Sequence, residues 1–175
     1  GRLITVGQAL QEGADLLRRA NIDAPRLTAE VLLCHALRKE KAWLYAHSTD
    51  PLSRIGWIHF GRYLHERIHH RKPTQYITRR QEFYGREFRV EPGVLIPRPE
   101  TEHVVETVVR VLPPAGRILD VGCGSGALAV TVALETGREV IACDVSPDAL
   151  RVAAGNAARL RAPVRLVYSD LLSAF

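Results

Sequence analysis

The sequence predicts an α/β chain in three parts: a small helical bundle over residues 1–72, a β-hairpin linker over 73–96, and the first part of a doubly wound parallel α/β domain over 97–175. Three observations carry this prediction. Apolar residues recur at helical spacing through the first part, with no strand pattern between them. A short alternating segment then surrounds Gly85. After Pro113-Pro114, brief apolar runs alternate with helical stretches, the pattern of strand–helix–strand units.

Each element has its own signal. Thr5 can cap a first helix running to about Ala20, with Val6, Leu10, Ala14 and Leu17 spaced 4, 4 and 3 along one face. Asn21-Ile-Asp-Ala-Pro25 breaks it, and Pro25 suits the first turn of a second helix ending near Leu37. The stripe expected on that helix is Leu27, Val31 and Cys34. Lys41–Ala46 reads as a short third helix. Ser53 caps a long fourth, which turns Trp57, Phe60, Leu64 and Ile68 inward. Pro73 ends the bundle, and Gln75-Tyr-Ile77 reads as extended. The segment from Glu82 to Val90 alternates around Gly85 as a hairpin does.

Three prolines stiffen the next stretch, Pro92-Gly-Val-Leu-Ile-Pro-Arg-Pro-Glu-Thr-Glu102. Pro99 lies where a helix can start, and Glu100 and Glu102 favour its positive end; the helix should run to about Leu112. The remainder reads as strand 117–121, helix 126–136, strand 138–143, helix 147–161 and strand 164–168.

Bulk properties narrow the setting. No apolar run approaches the ~18 residues of a membrane-spanning helix, and Gly1-Arg-Leu-Ile-Thr5 lacks the apolar core of a signal peptide. A cytoplasmic protein with no membrane partner is the simplest reading. Cys34, Cys123 and Cys143 form no CxxC pair, and the seven histidines show no metal-ligand spacing, so reduced thiols and no metal are expected. Of the net charge of +5, residues 54–89 contribute nine basic and three acidic side chains. Such a segment suits phosphate backbone or an acidic protein face.

The chemistry concentrates where the first parallel strand ends. Ile118-Leu-Asp-Val121 meets a turn with glycines at 122, 124 and 126, followed by an apolar helix. Glycines allow a ligand to approach the backbone closely, and a helix N-terminus offers free N–H groups. Asp144 ends the second strand 18 residues after Gly126, the place where an acid accepts ribose hydroxyls in nucleotide-binding folds. The turn also satisfies the loose dinucleotide pattern, so a nicotinamide enzyme has to be weighed. Asp120 argues otherwise: a carboxylate there opposes a diphosphate and suits an ammonium. With Asp170 placed to meet an adenine amino group, the three acids fit a cationic ligand bearing ribose and adenine, which is S-adenosylmethionine.

Asp120-Val-Gly-Cys-Gly-Ser-Gly126 is similar to the first motif of class I methyltransferases, which have a Rossmann-like fold. Phe83-Tyr-Gly85, followed by Leu95-Ile-Pro-Arg-Pro-Glu-Thr-Glu102, resembles the hallmark of the HemK-type family, the release-factor glutamine methyltransferases. The helical part in front and Tyr168-Ser-Asp-Leu-Leu-Ser-Ala-Phe175 resemble that family too.

The resemblance implies methyl transfer to the side-chain amide of the glutamine in the Gly-Gly-Gln loop of peptide chain release factors. S-adenosylmethionine is the implied cofactor, and any ribosome association would be indirect. The backbone of Gly122, Cys123, Gly124, Ser125 and Gly126 would hold the methionine part, with Asp120 near its ammonium. Asp144 would take the ribose, and Asp170 and Leu171 would border the adenine. Phe83, Pro97, Arg98, Pro99 and Thr101 would close over the methyl donor. The helical part would help engage the release factor, whose acidic face could meet segment 54–89.

The sequence departs from the family in one respect. The Asn-Pro-Pro-Tyr motif that acts on the amide is not found in these 175 residues. The expectation is therefore a fragment of a longer enzyme, with its catalytic residues beyond Phe175, inactive by itself. Alternatives are methylation of another amide or of an exocyclic nitrogen such as that of adenine in nucleic acid, and a non-catalytic module that binds release factor.

Overall fold

The computed structural model describes residues 3–175; Gly1 and Arg2, part of the N-terminal reading, lie outside the described residues. The chain divides into two compact units, Gly1–Thr78 and Arg79–Phe175.

The first unit is helical. It contains α1 (Val6–Arg19), α2 (Pro25–Leu37), α3 (Lys41–Ala46), α4 (Arg54–His69) and α5 (Thr74–Thr78). Thr5 and Gln8 close a reciprocal capping box: the Thr5 N–H donates to Gln8 Oε1 at 2.9 Å, and the Gln8 N–H donates to Thr5 Oγ1 at 3.1 Å. Val6, Leu10, Ala14 and Leu17 are buried as their spacing predicts. Phe60 lies at the centre of the bundle, against Gly13, where an added Cβ would come within 2.4 Å of its ring. At the periphery the buried Glu30 carboxylate is held by the Tyr45 hydroxyl and the Lys41 ammonium, each at 2.7 Å, which fastens α3 to α2.

Two expectations fail here. The buried face of α2 is Ala29, Leu32 and Leu33, whereas Leu27 and Val31 face solvent. The helix carries apolar residues on two faces, and the face that meets α1 and α4 is the one buried. Gln75-Tyr-Ile77 is helical rather than extended. Pro73 starts the turn, its carbonyl accepting from the Tyr76 and Ile77 N–H groups at 3.0 and 3.3 Å, and Ile77 anchors it in the bundle core.

The second unit begins with an antiparallel hairpin, β1 (Arg80–Phe83) and β2 (Arg86–Arg89), turning at Tyr84 and Gly85. Phe83 and Phe88 point inward, edge-to-face, with ring centroids 6.1 Å apart. A short 3-10 turn (Pro99–Thr101) leads into α6 (Glu102–Val111), and the Tyr84 N–H donates to Glu102 Oε1 at 2.8 Å. The hairpin thus belongs to the core of this unit.

Next come β3 (Ile118–Val121), α7 (Ala127–Thr136), β4 (Val140–Asp144), α8 (Pro147–Leu160) and β5 (Val164–Tyr168). The strands pair in parallel in the order β3-β4-β5, with Val121 opposite Cys143 and Asp144 opposite Tyr168. Val140, Ala142 and Cys143 are buried, as expected of a central parallel strand. This is a Rossmann-like α/β arrangement, and the carboxyl ends of its strands mark where ligands bind in such sheets.

Segment 54–89 does not form one uncompensated patch. Its charges are divided between the two units, and Lys72, Arg79, Arg80 and Arg86 pair with Glu66, Glu91, Glu87 and Glu135.

Candidate functional site

The site is built where β3 and β4 end. Gly122, Gly124 and Gly126 have φ of 75°, 54° and 82°, a region costly for any residue with a Cβ. Gly126 is required twice over, because a Cβ there would sit 3.0 Å from Ala153 Cβ on α8. The turn is stitched to the next strand: the N–H groups of Gly122 and Cys123 both donate to the Cys143 carbonyl at 2.9 Å. The Gly126 N–H donates to Cys123 O at 2.8 Å and closes the turn at the head of α7.

Asp144 takes part in this frame. Its Oδ2 accepts from the Gly124 N–H and its Oδ1 from the Ser146 N–H, each at 2.9 Å. Each oxygen retains a lone pair for a further donor. The Ser169 N–H donates to the Asp144 carbonyl at 3.1 Å, which brings the end of β5 alongside.

Asp120 is different. Its Oδ2 is buried and accepts no hydrogen bond, while the backbone of Ala129 in the first turn of α7 lies on the side that favours the charged carboxylate. Burial raises its pKa above the ordinary carboxylate range; the Ala129 contact works the other way, and the Asp144 charge adds to the rise. A buried carboxylate oxygen without a partner is costly, and a cationic donor would relieve that cost. Cys123 lies beside both acids. Burial first, then the charges of Asp120 and Asp144, push its thiol up to about 12.

The remaining candidates are spread more widely. Ser125 is buried, and its carbonyl accepts from Asn156 Nδ2 at 2.9 Å. Asp170 is exposed at the start of the turn after β5. The Leu171 carbonyl accepts from Cys143 Sγ at 3.6 Å and from Ser169 Oγ at 2.8 Å, and its side chain projects into solvent. Phe83 sits within the core at 1% exposure rather than on the surface of the glycine turn. Pro97 and Thr101 are half-buried and Arg98 and Pro99 exposed, along the approach to α6. Among the described residues, no hydrogen bond joins that approach to the glycine turn. The structure therefore brings together Asp120, residues 122–126 and Asp144, with Leu171 adjoining through its backbone. Sequence reasoning missed Asn156; its position on α8 gave no periodic or motif signal.

Two family descriptions match the chain in succession: "PrmC N-terminal domain" over residues 8–78 and "Methyltransferase small domain" over residues 98–175. The second match, together with the fold, the glycine turn and the acids, gives residues 98–175 the character of a methyltransferase-type domain. More narrowly, the chain is similar over most of its length to proteins named release factor glutamine methyltransferase. The relative of that name from Koribacter versatilis is 45% identical over 98% of this chain and 62% of its own length. That from Bordetella pertussis is 45% identical over 89% of this chain and 58% of its own. That from Bacillus subtilis is 40% identical over 98% and 61%. The chain thus spans about three-fifths of the length of these relatives.

Proposed function

We propose that the protein is a cytoplasmic enzyme that methylates the glutamine side-chain amide of the Gly-Gly-Gln motif of peptide chain release factors, with S-adenosylmethionine as donor. The observation that carries the reading is the buried, unpartnered Oδ2 of Asp120 beside a glycine turn and a second acid. A diphosphate would be repelled there, whereas an ammonium would be held. The names of the relatives support the substrate class.

The roles assigned to the residues are those the family resemblance implies, and for Asp120 and Asp144 the hydrogen-bond geometry supports them. Asp120 accepts from the ammonium of the cofactor's methionine part, and the backbone of Gly122 to Gly126 lies against that part. Asp144, oriented by Gly124 and Ser146, offers its remaining lone pairs to the ribose hydroxyls. Asp170 and Leu171 border the adenine. Pro97, Arg98, Pro99 and Thr101 form the cover, with Phe83 supporting it from within the core. When bound, S-adenosylmethionine supplies an electrophilic methyl group on a sulfonium. An amide nitrogen is a poor nucleophile because its lone pair is delocalised, so groups that accept its N–H bonds are needed as well. In this reading, residues 120–171 contribute the cofactor half of the reaction.

Calorimetric titration of this chain with S-adenosylmethionine, with NAD for comparison, tests the cofactor. Binding of the first alone, abolished in Asp120→Ala, is expected; binding of NAD alone overturns the reading. Radiolabelled methyl transfer by the whole protein to release factor, and not to a Gly-Gly-Ala variant, tests the substrate.

A further inference from the structure

We propose that Asn156 is a positioning residue for the cofactor turn, clamping residues 122–126 to the hairpin. The role deepens the cofactor reading given above and rests on it. Asn156 lies on α8 and is fully buried. Its amide meets two segments beyond its own helix, the glycine turn and the hairpin. Nδ2 donates to Ser125 O at 2.9 Å and to Arg89 O at 3.0 Å, while Oδ1 accepts from the Arg89 N–H at 2.8 Å and from Arg159 Nη2 at 3.2 Å. Both donors and both lone pairs of the amide are therefore used. Arg159 also donates to Glu87 O, which adds a second link from α8 to β2.

The consequence for the turn follows from peptide planarity. Ser125 C=O and Gly126 N–H belong to one rigid peptide unit. Pinning the carbonyl from α8 sets the direction of that N–H, which donates to Cys123 O. Ala153, one helical turn earlier on α8, lies against Gly126 and sets how closely the helix and the turn approach. Three glycines with positive φ make a turn that is costly to order, and the Asn156 clamp holds it in one shape before a ligand arrives. Arg89 is the last residue of β2, so the same amide passes the position of the hairpin to the turn.

The test compares wild type with Asn156→Ala and Asn156→Asp. The aspartate is isosteric and keeps the acceptor for the Arg89 N–H, so it carries the test if the alanine variant does not fold. Two readouts are taken: affinity for S-adenosylmethionine, and amide hydrogen exchange of the ligand-free chain. Loss of buried hydrogen bonds should weaken cofactor affinity roughly tenfold or more in both variants. Exchange at Gly124 and Gly126 should rise more than at the β4 amides. A merely structural role would raise exchange evenly across the unit, and that result, or unchanged affinity in a folded variant, overturns the proposal. If the wild type binds no S-adenosylmethionine, the cofactor reading fails by itself, and selective exchange at the turn still decides whether Asn156 positions it.

Discussion

Gly124 donates its backbone N–H to Asp144 Oδ2 at 2.9 Å, which joins the turn after the first parallel strand to the acid that ends the second. With the Ser146 N–H on Oδ1, this carboxylate is oriented before any ligand is present. Asp144→Ala removes both hydrogen bonds and should cost about 2 kcal/mol of stability. Urea unfolding measures that loss, and calorimetry should show cofactor binding abolished in the same variant. Stability equal to wild type would mean that the two N–H groups find water instead.

Asp120 should trade stability for binding. Burial raises its folded-state pKa above the unfolded value, so the folded chain holds the proton more tightly. The group costs nothing below the unfolded-state pKa, and the cost grows as pH rises through the folded-state pKa. Ligand-free Asp120→Asn should therefore melt higher than wild type at neutral pH, with the difference vanishing toward about pH 3. Affinity for S-adenosylmethionine runs the other way. It should be weaker in the variant and, in wild type, fall as acidification protonates Asp120. Thermal melts and titrations across pH check both.

Gly122 and Gly126 should respond differently to alanine. Gly122 has φ of 75° and no atom near an added Cβ, so Gly122→Ala should cost about 1–2 kcal/mol of backbone strain. Gly126→Ala adds a clash with Ala153 and should cost more. Ala153→Gly should recover part of the second loss and none of the first, which a double-mutant cycle reads directly.

The Cys123 thiol, pushed up to about 12 and buried, should resist alkylation in the native chain at pH 8. Burial, followed by the Glu30 charge, raises Cys34 as well. Mass spectrometry after iodoacetamide treatment should find Cys123 unlabelled until urea is added. Rapid native labelling would show that the turn opens readily.

Local signals carried most of the fold. The Thr5 capping box, the Ser53 cap, the start of α8 at Pro147 and the glycine turn each involve residues a few positions apart, and their physics is complete within that span. The period of α1 pointed to its buried face because only one face is apolar. Where a helix is apolar on two sides, as α2 is, period could not choose, and Leu27 and Val31 lie outside the core. Gln75 to Ile77 failed for a related reason: extended and helical readings compete over so few residues, and packing of Ile77 into the bundle settled the matter.

The sequence by itself determined the order of elements, the two parallel crossovers and the three acids at three strand ends, because hydrophobic period, turn chemistry and strand length are local properties. Tertiary structure alone decided which of those acids meet. It set Asp120 without a partner while Asp144 gained two, and it sank Phe83 into the core. It also brought Asn156 to Arg89 and Ser125 from 67 and 31 residues away. Contacts between distant segments depend on how whole layers pack, and no window of sequence contains that packing.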